Sequence, residues 1–308
     1  MMGAEKGGQE FRSGFVGIIG RPNVGKSTLI NSMIGHKVVI TSDKPQTTRN
    51  KIAAIMNKPG LQVVFIDTPG IHKPKHLLGE KMNSQARNAA RDVDLVLFVV
   101  DASMSGHKGD YFVSDDLAAS GARVWLVMNK SDLVEGEQEA EVRGRFSDLT
   151  GFERNFLVSA QSGRGVGELL DAVSEVMEPG PQFYPEGMSL DHPEEFVVAE
   201  LVREKVFRLT REEVPHSTAV IVESMENRGA DLVDISAVIY VERDSQKGII
   251  IGAKGSMLKE IGTQARLDIE AILGNRVNLQ LWVKVREKWR QDPTQLSRFG
   301  YDDGGEEA

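Results

Sequence analysis

The sequence contains no cysteine, few aromatic residues and no long apolar segment. Without cysteine, this chain of 308 residues has no disulfide framework, no thiolate metal site and no cysteine nucleophile. No apolar run approaches the roughly 18 residues of a membrane-spanning helix. The polar start, residues 1–14, does not resemble a secretory signal. We therefore expect a protein of the reducing cytoplasm.

Acidic residues outnumber basic ones by 45 to 37, which gives a net charge of -8 and argues at first against a nucleic-acid partner. The charge is unevenly distributed, however. Residues 299–308 carry four acidic residues and no basic one, whereas residues 243–298 carry eleven basic residues and six acidic ones. A locally basic surface for nucleic acid is therefore compatible with the composition.

Strand-like and helix-like segments alternate through the first part of the chain, which predicts a mostly parallel six-stranded sheet with crossover helices. Proline and glycine then crowd into residues 179–187 and end the helical pattern. Beyond them the predicted order is helix, strand, strand, helix, helix, strand. We expect an α/β domain at 12–178, a linker at 179–192, an α+β domain at 193–298 and an acidic tail at 299–308.

A glycine-containing loop between a predicted strand and a predicted helix is typical of a phosphate-binding loop. Its backbone N–H groups and the helix N-terminus would surround phosphate oxygens. Lys26 would reach the outer phosphates, and Ser27 would ligate Mg²⁺. The nucleotide-binding residues predicted here are Gly20, Arg21, Pro22, Asn23, Val24, Gly25, Lys26, Ser27 and Thr28.

Two further segments contain the expected partners of this loop. Asp67 ends a predicted strand and would hold a metal-bound water, and the N–H of Gly70 would face the terminal phosphate. The predicted contact segment consists of Asp67, Thr68, Pro69, Gly70 and Ile71. Thr47 and Thr48 precede another strand, and we expect Thr48 to complete the Mg²⁺ shell with Ser27 and Asp67.

The identity of the base is indicated by Asn129, Lys130, Ser131 and Asp132, at the end of a buried strand. The Asp132 carboxylate would accept hydrogen bonds from the N1–H and amino group of guanine, whereas adenine lacks both donors there. Ser159 and Ala160 follow the last strand, and a backbone N–H there would reach guanine O6. The predicted ligands are GTP and GDP rather than ATP.

The second domain contains a GxxG sequence between two predicted helices, Gly252, Ala253, Lys254 and Gly255. A turn of this kind lets a nucleic-acid backbone approach closely, as in KH modules, and the element order is that of a type II KH fold. Basic side chains flank the turn, which predicts contacts with phosphate groups. These residues are Lys247, Lys254, Lys259 and Arg266. The expected partner is single-stranded RNA.

Over residues 12–300 the chain resembles the Era-like family of bacterial GTPases. The resemblance is carried by the strings GRPNVGKST, QTTRN, DTPG, NKSD and SA and by the second domain that follows them. The resemblance implies a Ras-like P-loop GTPase domain followed by a type II KH domain. It also implies binding to the small (30S) ribosomal subunit near the 3′ end of its 16S RNA, and a role in subunit biogenesis. Peripheral contact with the inner face of the cell membrane is a further property that the resemblance implies.

The sequence lacks the glutamine that Ras-like proteins use in hydrolysis. Ras-like proteins place a glutamine after the DxxG motif, but Ile71 stands there and cannot orient water, so intrinsic hydrolysis should be slow, about 10⁻² s⁻¹ or below. We predict that Lys26, Thr48, Asp67 and Gly70 act together, with positive charge supplied by K⁺ that is held by Asn23 and by carbonyls of the loop at 41–48. Arg21 is expected to be a solvated loop charge.

Two alternatives remain open at this point. One is a non-catalytic RNA-binding scaffold in which GTP is a structural ligand, which the missing glutamine favours. The other is a membrane-associated signalling GTPase of the cell cycle. The expected oligomeric state is a monomer.

Overall fold

The computed structural model describes residues 10–41, 48–70, 77–104, 107–149, 151–229 and 231–301. The chain divides into two compact units. The first unit consists of Met1–Val39, Lys51–Ile71 and Ala86–Asp191. The second unit consists of Ile40–Asn50, His72–Gln85 and His192–Ala308. The sequence predicts two consecutive domains, whereas two short segments of the amino-terminal part belong to the second unit.

The first unit is built on a mostly parallel sheet whose strand order is β2-β3-β1-β4-β5-β6. These strands are β1 (Arg12–Ile19), β2 (Ile52–Lys58), β3 (Leu61–Asp67), β4 (Leu95–Asp101), β5 (Val124–Asn129) and β6 (Asn155–Leu157). Only β2 is antiparallel to its neighbour in this order. Every residue of β4 and β5 is buried, as expected for central strands covered on both faces.

The helices of this unit are α1 (Lys26–Ile34), α3 (Lys108–Ser120), α4 (Glu139–Gly144) and α5 (Val166–Val176). Helix α2 (Leu77–Arg91) belongs to the second unit up to Gln85. The sequence predicts a helix over 137–149, and α4 is much shorter. It ends in a series of turns through Leu149, where Phe146 and Leu149 enter the core beside β4 and β5.

The strand register brings the predicted nucleotide-binding segments to one edge of the sheet. Asp67 of β3 pairs with Ile18 at the end of β1, and Asn129 of β5 pairs with Asp101 at the end of β4. Leu157 at the end of β6 pairs with Met128 of β5. Because parallel strands end at the same edge, the loops that follow them converge there.

The proline-rich segment after α5 is held to the first unit along most of its length. Glu178–Pro179 forms a two-residue strand, β7, which pairs with β1 and makes the sheet seven-stranded rather than six-stranded. The buried amide of Gln62 accepts from the N–H groups of Phe183 and Tyr184 and donates to the Tyr184 carbonyl. Although its composition predicts a linker at 179–192, these contacts continue to Asp191, whose N–H donates to Ala53.

The second unit has the element order expected of a KH fold. A three-stranded sheet of order β10-β9-β8 is formed by β8 (Ala219–Asn227), β9 (Leu232–Val241) and β10 (Arg276–Val285). Helices α6 (Glu194–Leu209), α8 (Asp244–Ile251) and α9 (Ser256–Leu273) contribute buried side chains to the core on this sheet. A short helix, α7 (Glu213–His216), precedes β8.

A second apolar cluster of this unit contains the end of the described chain. Helix α10 (Pro293–Arg298) is followed by Phe299 and Tyr301, which are both buried beside Trp289 and Tyr240. The acidic tail expected from residue 299 therefore does not include these two aromatic residues, and residues 302–308 lie outside the described part. Acidic residues and glycines dominate the composition of residues 299–308, and this composition does not indicate that two aromatic side chains among them are buried.

Across the described ranges, no helix has the length and apolar character needed to cross a bilayer.

Candidate functional site

The predicted phosphate-binding loop has a backbone that few residue types can adopt. Gly25 has a left-handed φ of 95°, and a Cβ added to it would lie 2.3 Å from Nδ2 of Asn129. Asn23 is exposed and also left-handed, a conformation that asparagine tolerates better than most residues. Helix α1 begins directly afterwards at Lys26, so its first N–H groups face the loop.

Lys26 is buried within this loop. Its ammonium donates to the carbonyls of Gly20 at 3.1 Å and Arg21 at 3.0 Å. Burial lowers the pKa of Lys26 to about 8, and the charge of Arg21 acts in the same direction, while Asp67 opposes the shift. An anionic ligand beside this ammonium would favour its charged form.

Two of the three predicted magnesium ligands lie together. The Ser27 hydroxyl donates to Oδ2 of Asp67 over 2.8 Å, and Asp67 is fully buried at the end of β3. A hydroxyl and a carboxylate are hard oxygen donors of the kind that Mg²⁺ takes beside substrate phosphates. These residues therefore fit the metal. Thr48, the third predicted ligand, is buried and belongs to the second unit.

The segment after Asp67 lies against the phosphate-binding loop. A Cβ added to Gly70 would lie 2.6 Å from the Pro22 nitrogen, so only glycine permits this approach. Thr68 was predicted to contact the nucleotide, but its buried hydroxyl donates to the Ile18 carbonyl and so ties β3 to β1. Ile71 lies outside the described residues.

Asn129 joins three of the predicted segments. Its side-chain amide donates to the Val24 carbonyl at 2.9 Å, and its Oδ1 accepts from the N–H of Ala160 at 2.9 Å. We expected a backbone N–H at Ser159–Ala160 to reach guanine O6, whereas the N–H of Ala160 is directed to Asn129. This linking role was not predicted, although an asparagine that ends a buried strand beside two loops is a signal for it.

The carboxylate of Asp132, which the sequence predicts to bind the base, is also positioned by a neighbour. The fully buried Ser159 donates its hydroxyl to Asp132 Oδ1 in a short hydrogen bond. Arg164 donates to the Ser131 carbonyl at 2.7 Å, and Lys130 donates to Asp101 at 2.7 Å. Burial acts to raise the pKa of Asp101, but hydrogen bonds from Lys130 and Ser103 outweigh it and lower the pKa.

Arg21 differs most from its expected role. It is not a solvated charge, because its side chain is 14% exposed and its guanidinium makes two hydrogen bonds, at 2.7 and 3.0 Å, to the buried carboxylate of Asp110. Asp110 lies in the first turn of α3. The pair fastens the phosphate-binding loop to α3, so Arg21 supports the loop and is not directed into it.

The predicted RNA-binding turn has the expected backbone. Gly252 and Gly255 have left-handed φ values of 71° and 79°, and Lys254 between them has a φ of 52°. A Cβ added to Gly252 would lie 2.7 Å from Cβ of Met257, so this glycine allows α8 and α9 to meet closely. Ala253 and Lys254 are exposed at the tip, where a nucleic-acid backbone could approach.

The flanking basic residues are not equivalent. Lys254 and Lys259 are exposed, and Lys247 is half-buried. Arg266 forms an ion pair with Glu270 at 3.3 Å one helical turn away, which makes it a weaker candidate for phosphate contact. Trp282 on β10 is 44% exposed.

Comparisons with family models match both units in sequence order. Residues 15–130 match a model described as "50S ribosome-binding GTPase". Residues 213–290 match a model described as "KH domain".

Full-length relatives agree with this arrangement. The chain is 52% identical to GTPase Era of Geotalea daltonii over 294 residues, covering 96% of this chain and 99% of the relative. It is 48% identical to GTPase Era of Heliobacterium modesticaldum over 295 residues, again covering 96% and 99%.

Solved structures extend the likeness to three dimensions. A variant of Aquifex aeolicus Era bound to GDP and AlF4⁻ matches with a TM-score of 0.90 at 37% identity, covering 94% of this chain and 99% of that chain. Era in complex with MgGDPNP and nucleotides 1506–1542 of 16S ribosomal RNA matches with the same TM-score, identity and coverage.

The hydrogen bond from Ser159 to Asp132 predicts a defect in guanine binding. Ser159→Ala should raise the Kd for GDP about tenfold, because the freed carboxylate must be ordered again when it binds the base. Binding of ADP should stay undetectable. Isothermal titration calorimetry measures both. Ser162→Ala, which removes an exposed hydroxyl three residues later, should bind GDP normally, and an equal loss in both variants would contradict this role for Ser159.

The lowered pKa of Lys26 predicts proton uptake when nucleotide binds. At pH 7, below the pKa of about 8, Lys26 is already largely charged and uptake should be small. At pH 9 it is mostly neutral, and phosphates that raise its pKa should draw most of one proton from solution. Calorimetric titrations with GDP in two buffers of different ionisation enthalpy give the number of protons taken up per nucleotide bound. An uptake near zero at both pH values would show that Lys26 does not pair with phosphate.

Proposed function

Because the chain belongs to the Era family of GTPases, we propose that it couples GTP hydrolysis to binding of single-stranded ribosomal RNA near the 3′ end of 16S RNA, in small-subunit biogenesis. The observation that carries this proposal is the presence in one chain of two prepared sites. Lys26, Ser27, Asp67 and Asp132 converge at one sheet edge, and an exposed GxxG turn stands between α8 and α9.

The residues of the first site have separable tasks toward GTP. Lys26 and the N–H groups at the start of α1 bind the outer phosphates, and Asp132, held by Ser159, accepts from the guanine edge. Ser27, Thr48 and Asp67 would hold Mg²⁺, which supplies positive charge beside the phosphates. A role of GTP as a structural ligand alone is disfavoured, because the chain is a GTPase by family.

The residue that compensates for the missing glutamine at position 71 is proposed to be Asn23. Its left-handed backbone places it, exposed, at the centre of the phosphate-binding loop. Its amide oxygen is a suitable ligand for a monovalent cation, which would contribute charge that Arg21 cannot, since Arg21 is paired with Asp110.

GTP turnover should therefore be faster in K⁺ than in Na⁺ buffer, by about tenfold or more if the cation stabilises transition-state charge. Asn23→Ala should remove this difference while leaving the slow rate in Na⁺ unchanged. Phosphate release under single-turnover conditions measures both rates. Equal rates in the two salts for the wild type would eliminate the monovalent-cation hypothesis.

The second site is proposed to bind the phosphate backbone of RNA at the turn, with Lys254 and Lys259 as the free basic contacts. The RNA complex of the structural neighbour contains nucleotides 1506–1542 of 16S RNA, and we assign the same class of partner to this chain. Coupling between the sites requires that the GTP-bound and GDP-bound forms differ in RNA affinity.

A synthetic RNA of that sequence should bind the GDPNP form about tenfold more tightly than the GDP form, within the usual range of coupling between sites. Lys254→Ala should weaken binding and reduce the salt dependence of log K by about one unit, as expected for loss of one phosphate contact. Fluorescence anisotropy across a salt series measures both effects. The matched control, Lys58→Ala, removes an exposed lysine of β2 and should bind normally.

Three outcomes would contradict this proposal, the second by removing the coupling between the two sites and the other two by removing the proposed RNA partner. The first is equal affinity for a scrambled RNA of the same length, and the second is equal affinity in both nucleotide states. The third is that purified 50S subunits compete with the RNA for the protein more strongly than 30S subunits do. That result would agree with the family model described as "50S ribosome-binding GTPase".

We propose the cytoplasm as the site of action and a monomer as the active form, because both sites are formed within a single chain. Co-sedimentation with anionic lipid vesicles would instead indicate a peripheral membrane role.

A further inference from the structure

Trp282 is an exposed tryptophan that neither of the two proposed sites uses. The chain has three tryptophans. Trp125 and Trp289 are fully buried, whereas Trp282 is 44% exposed. Tryptophan is highly buried on average in folded proteins. The exposure of this one ring therefore makes it a candidate contact for a ligand.

The strand pattern places Trp282 on the face of the sheet opposite the long helices. Val277 and Val283 of β10 are buried in the core formed with those helices. Side chains alternate between the two faces of a strand, so Trp282 is directed to the other face. The β10 residues that share this outer face with it are Asn278, Gln280 and Lys284, and all three are exposed.

The aromatic cluster of this unit ends beside Trp282 without covering it. Trp282 pairs in register with Val238 of β9, and Val238 is buried in the cluster with Trp289 and Phe299. The cluster covers parts of β8 and β9, whereas β10 is the edge strand of the order β10-β9-β8. The exposed ring therefore lies at the rim of the sheet, next to an edge to which no described strand is bonded.

The same edge lies beneath the helix that follows the GxxG turn. A Cβ added to Gly262 of α9 would lie 3.4 Å from Cδ1 of Leu281, the residue before Trp282. Gly262 follows Gly255 by about two turns of helix, or about 10 Å along the axis. A KH turn clamps about four nucleotides of backbone. A strand that continues past the turn along α9 therefore reaches the β10 edge within a few nucleotides.

The charges near Trp282 do not oppose the approach of a polyanion. Glu223 of β8 forms an ion pair with Lys284 at 3.0 Å, so this acid is balanced by its neighbour. Arg286 and Lys288 follow at the end of the strand, where both are exposed and outnumber Glu287 between them. An excess of basic residues at this end of β10 favours a phosphate backbone over an anionic protein surface.

The surroundings of the ring fit a nucleobase better than a protein partner. Among the exposed large apolar residues of the described ranges, Trp282 is the one that belongs to this three-stranded sheet. A specific protein interface buries about 1,200–2,000 Å² around an apolar centre, which a single ring does not supply. One base needs only one ring on which to stack. The amides of Asn278 and Gln280 could also bond the edge of a base.

We propose that Trp282 is a stacking platform for an unpaired RNA base, separate from the GxxG turn and on the outer face of the β10 edge. Every base has a π-face, so this contact contributes to affinity and not to sequence recognition. The inference rests on the RNA partner proposed above and adds a contact to it. The RNA is held at the turn through its backbone and at Trp282 through a base.

The first test uses the unsubstituted protein, because Trp282 is the exposed one of its three tryptophans. Titration of the GDPNP form with an RNA of nucleotides 1506–1542 should quench part of the tryptophan emission and protect it from acrylamide. The Kd from quenching should equal the Kd from anisotropy. Trp282→Phe should bind the RNA without this quenching, which assigns the signal. Unchanged emission and unchanged acrylamide access at saturating RNA would overturn the proposal.

The second test measures what the ring contributes to RNA affinity. Trp282→Ala should weaken binding about tenfold, the loss expected for one stacked base, and Trp282→Phe by no more than about threefold because it keeps a ring. The salt dependence of log K should stay that of the wild type, since stacking neutralises no phosphate, in contrast to Lys254→Ala. The matched control, Phe112→Ala, removes an aromatic ring of α3 that is 51% exposed and should bind normally.

The outcomes separate this inference from the proposed function. Normal affinity of Trp282→Ala beside weakened binding of Lys254→Ala would overturn the stacking role and leave RNA binding at the turn intact. Absence of RNA binding by the wild type would overturn the proposed function, and this inference with it. A wild-type dimer in sedimentation that Trp282→Ala separates into monomers would assign the ring to a second copy of the chain and contradict the proposal.

Folding is measured separately so that instability is not mistaken for lost stacking. Thermal unfolding followed by circular dichroism is compared for each variant. If Trp282→Ala unfolds, Trp282→Leu keeps apolar bulk at the position but has no ring face, and it should lose about tenfold in RNA affinity. Normal affinity in a folded Trp282→Leu protein would then contradict the proposal.

Discussion

The nucleotide site depends on one buried amide, that of Asn129. Asn129 is almost fully buried at the end of β5, and its two polar atoms bond the phosphate-binding loop and the loop after β6. A buried amide left without partners would cost free energy, so these two loops are held in one arrangement. This bond network therefore relates the two proposed contact points of a nucleotide, the loop at Gly25 for the phosphates and Asp132 for the base.

Further bonds around Asn129 restrict the groups that would contact ligand. Ser159 orients Asp132, Arg164 holds the Ser131 carbonyl, and Arg21 fastens the phosphate-binding loop to α3. These residues support the contacting groups and do not replace them. Preorganisation of this kind reduces the entropy lost on binding, because the site does not have to be assembled around the nucleotide.

The second unit has a comparable constraint in its aromatic cluster. Trp289 donates its indole N–H to Ser217 and packs against Phe299 and Tyr301, which covers part of the sheet face opposite the long helices. The rings of Trp289 and Tyr301 also flank Arg49, so the end of the described chain and a segment near residue 50 share one site. The second unit therefore contains residues that are distant in sequence, and it consists of three separate segments of the chain.

The sequence by itself determined the fold class and the order of the elements, and it indicated the segments that we propose bind nucleotide and RNA. Apolar periodicity locates strands such as β3 and β4, and glycines at 25, 252 and 255 mark turns with a left-handed backbone that other residues rarely adopt. These features are local, because a motif of a few residues carries its own conformational requirement.

Only the tertiary structure decided which groups form hydrogen bonds or ion pairs with each other and which side chains are buried. Arg21 was expected in solvent and is paired with Asp110, Thr68 bonds Ile18, the Ala160 N–H bonds Asn129, and Phe299 and Tyr301 are buried in what composition predicts to be a tail. Each of these contacts joins residues far apart in the chain. Hydrogen bonds and burial depend on distance in space, and no local pattern in a single sequence specifies that distance.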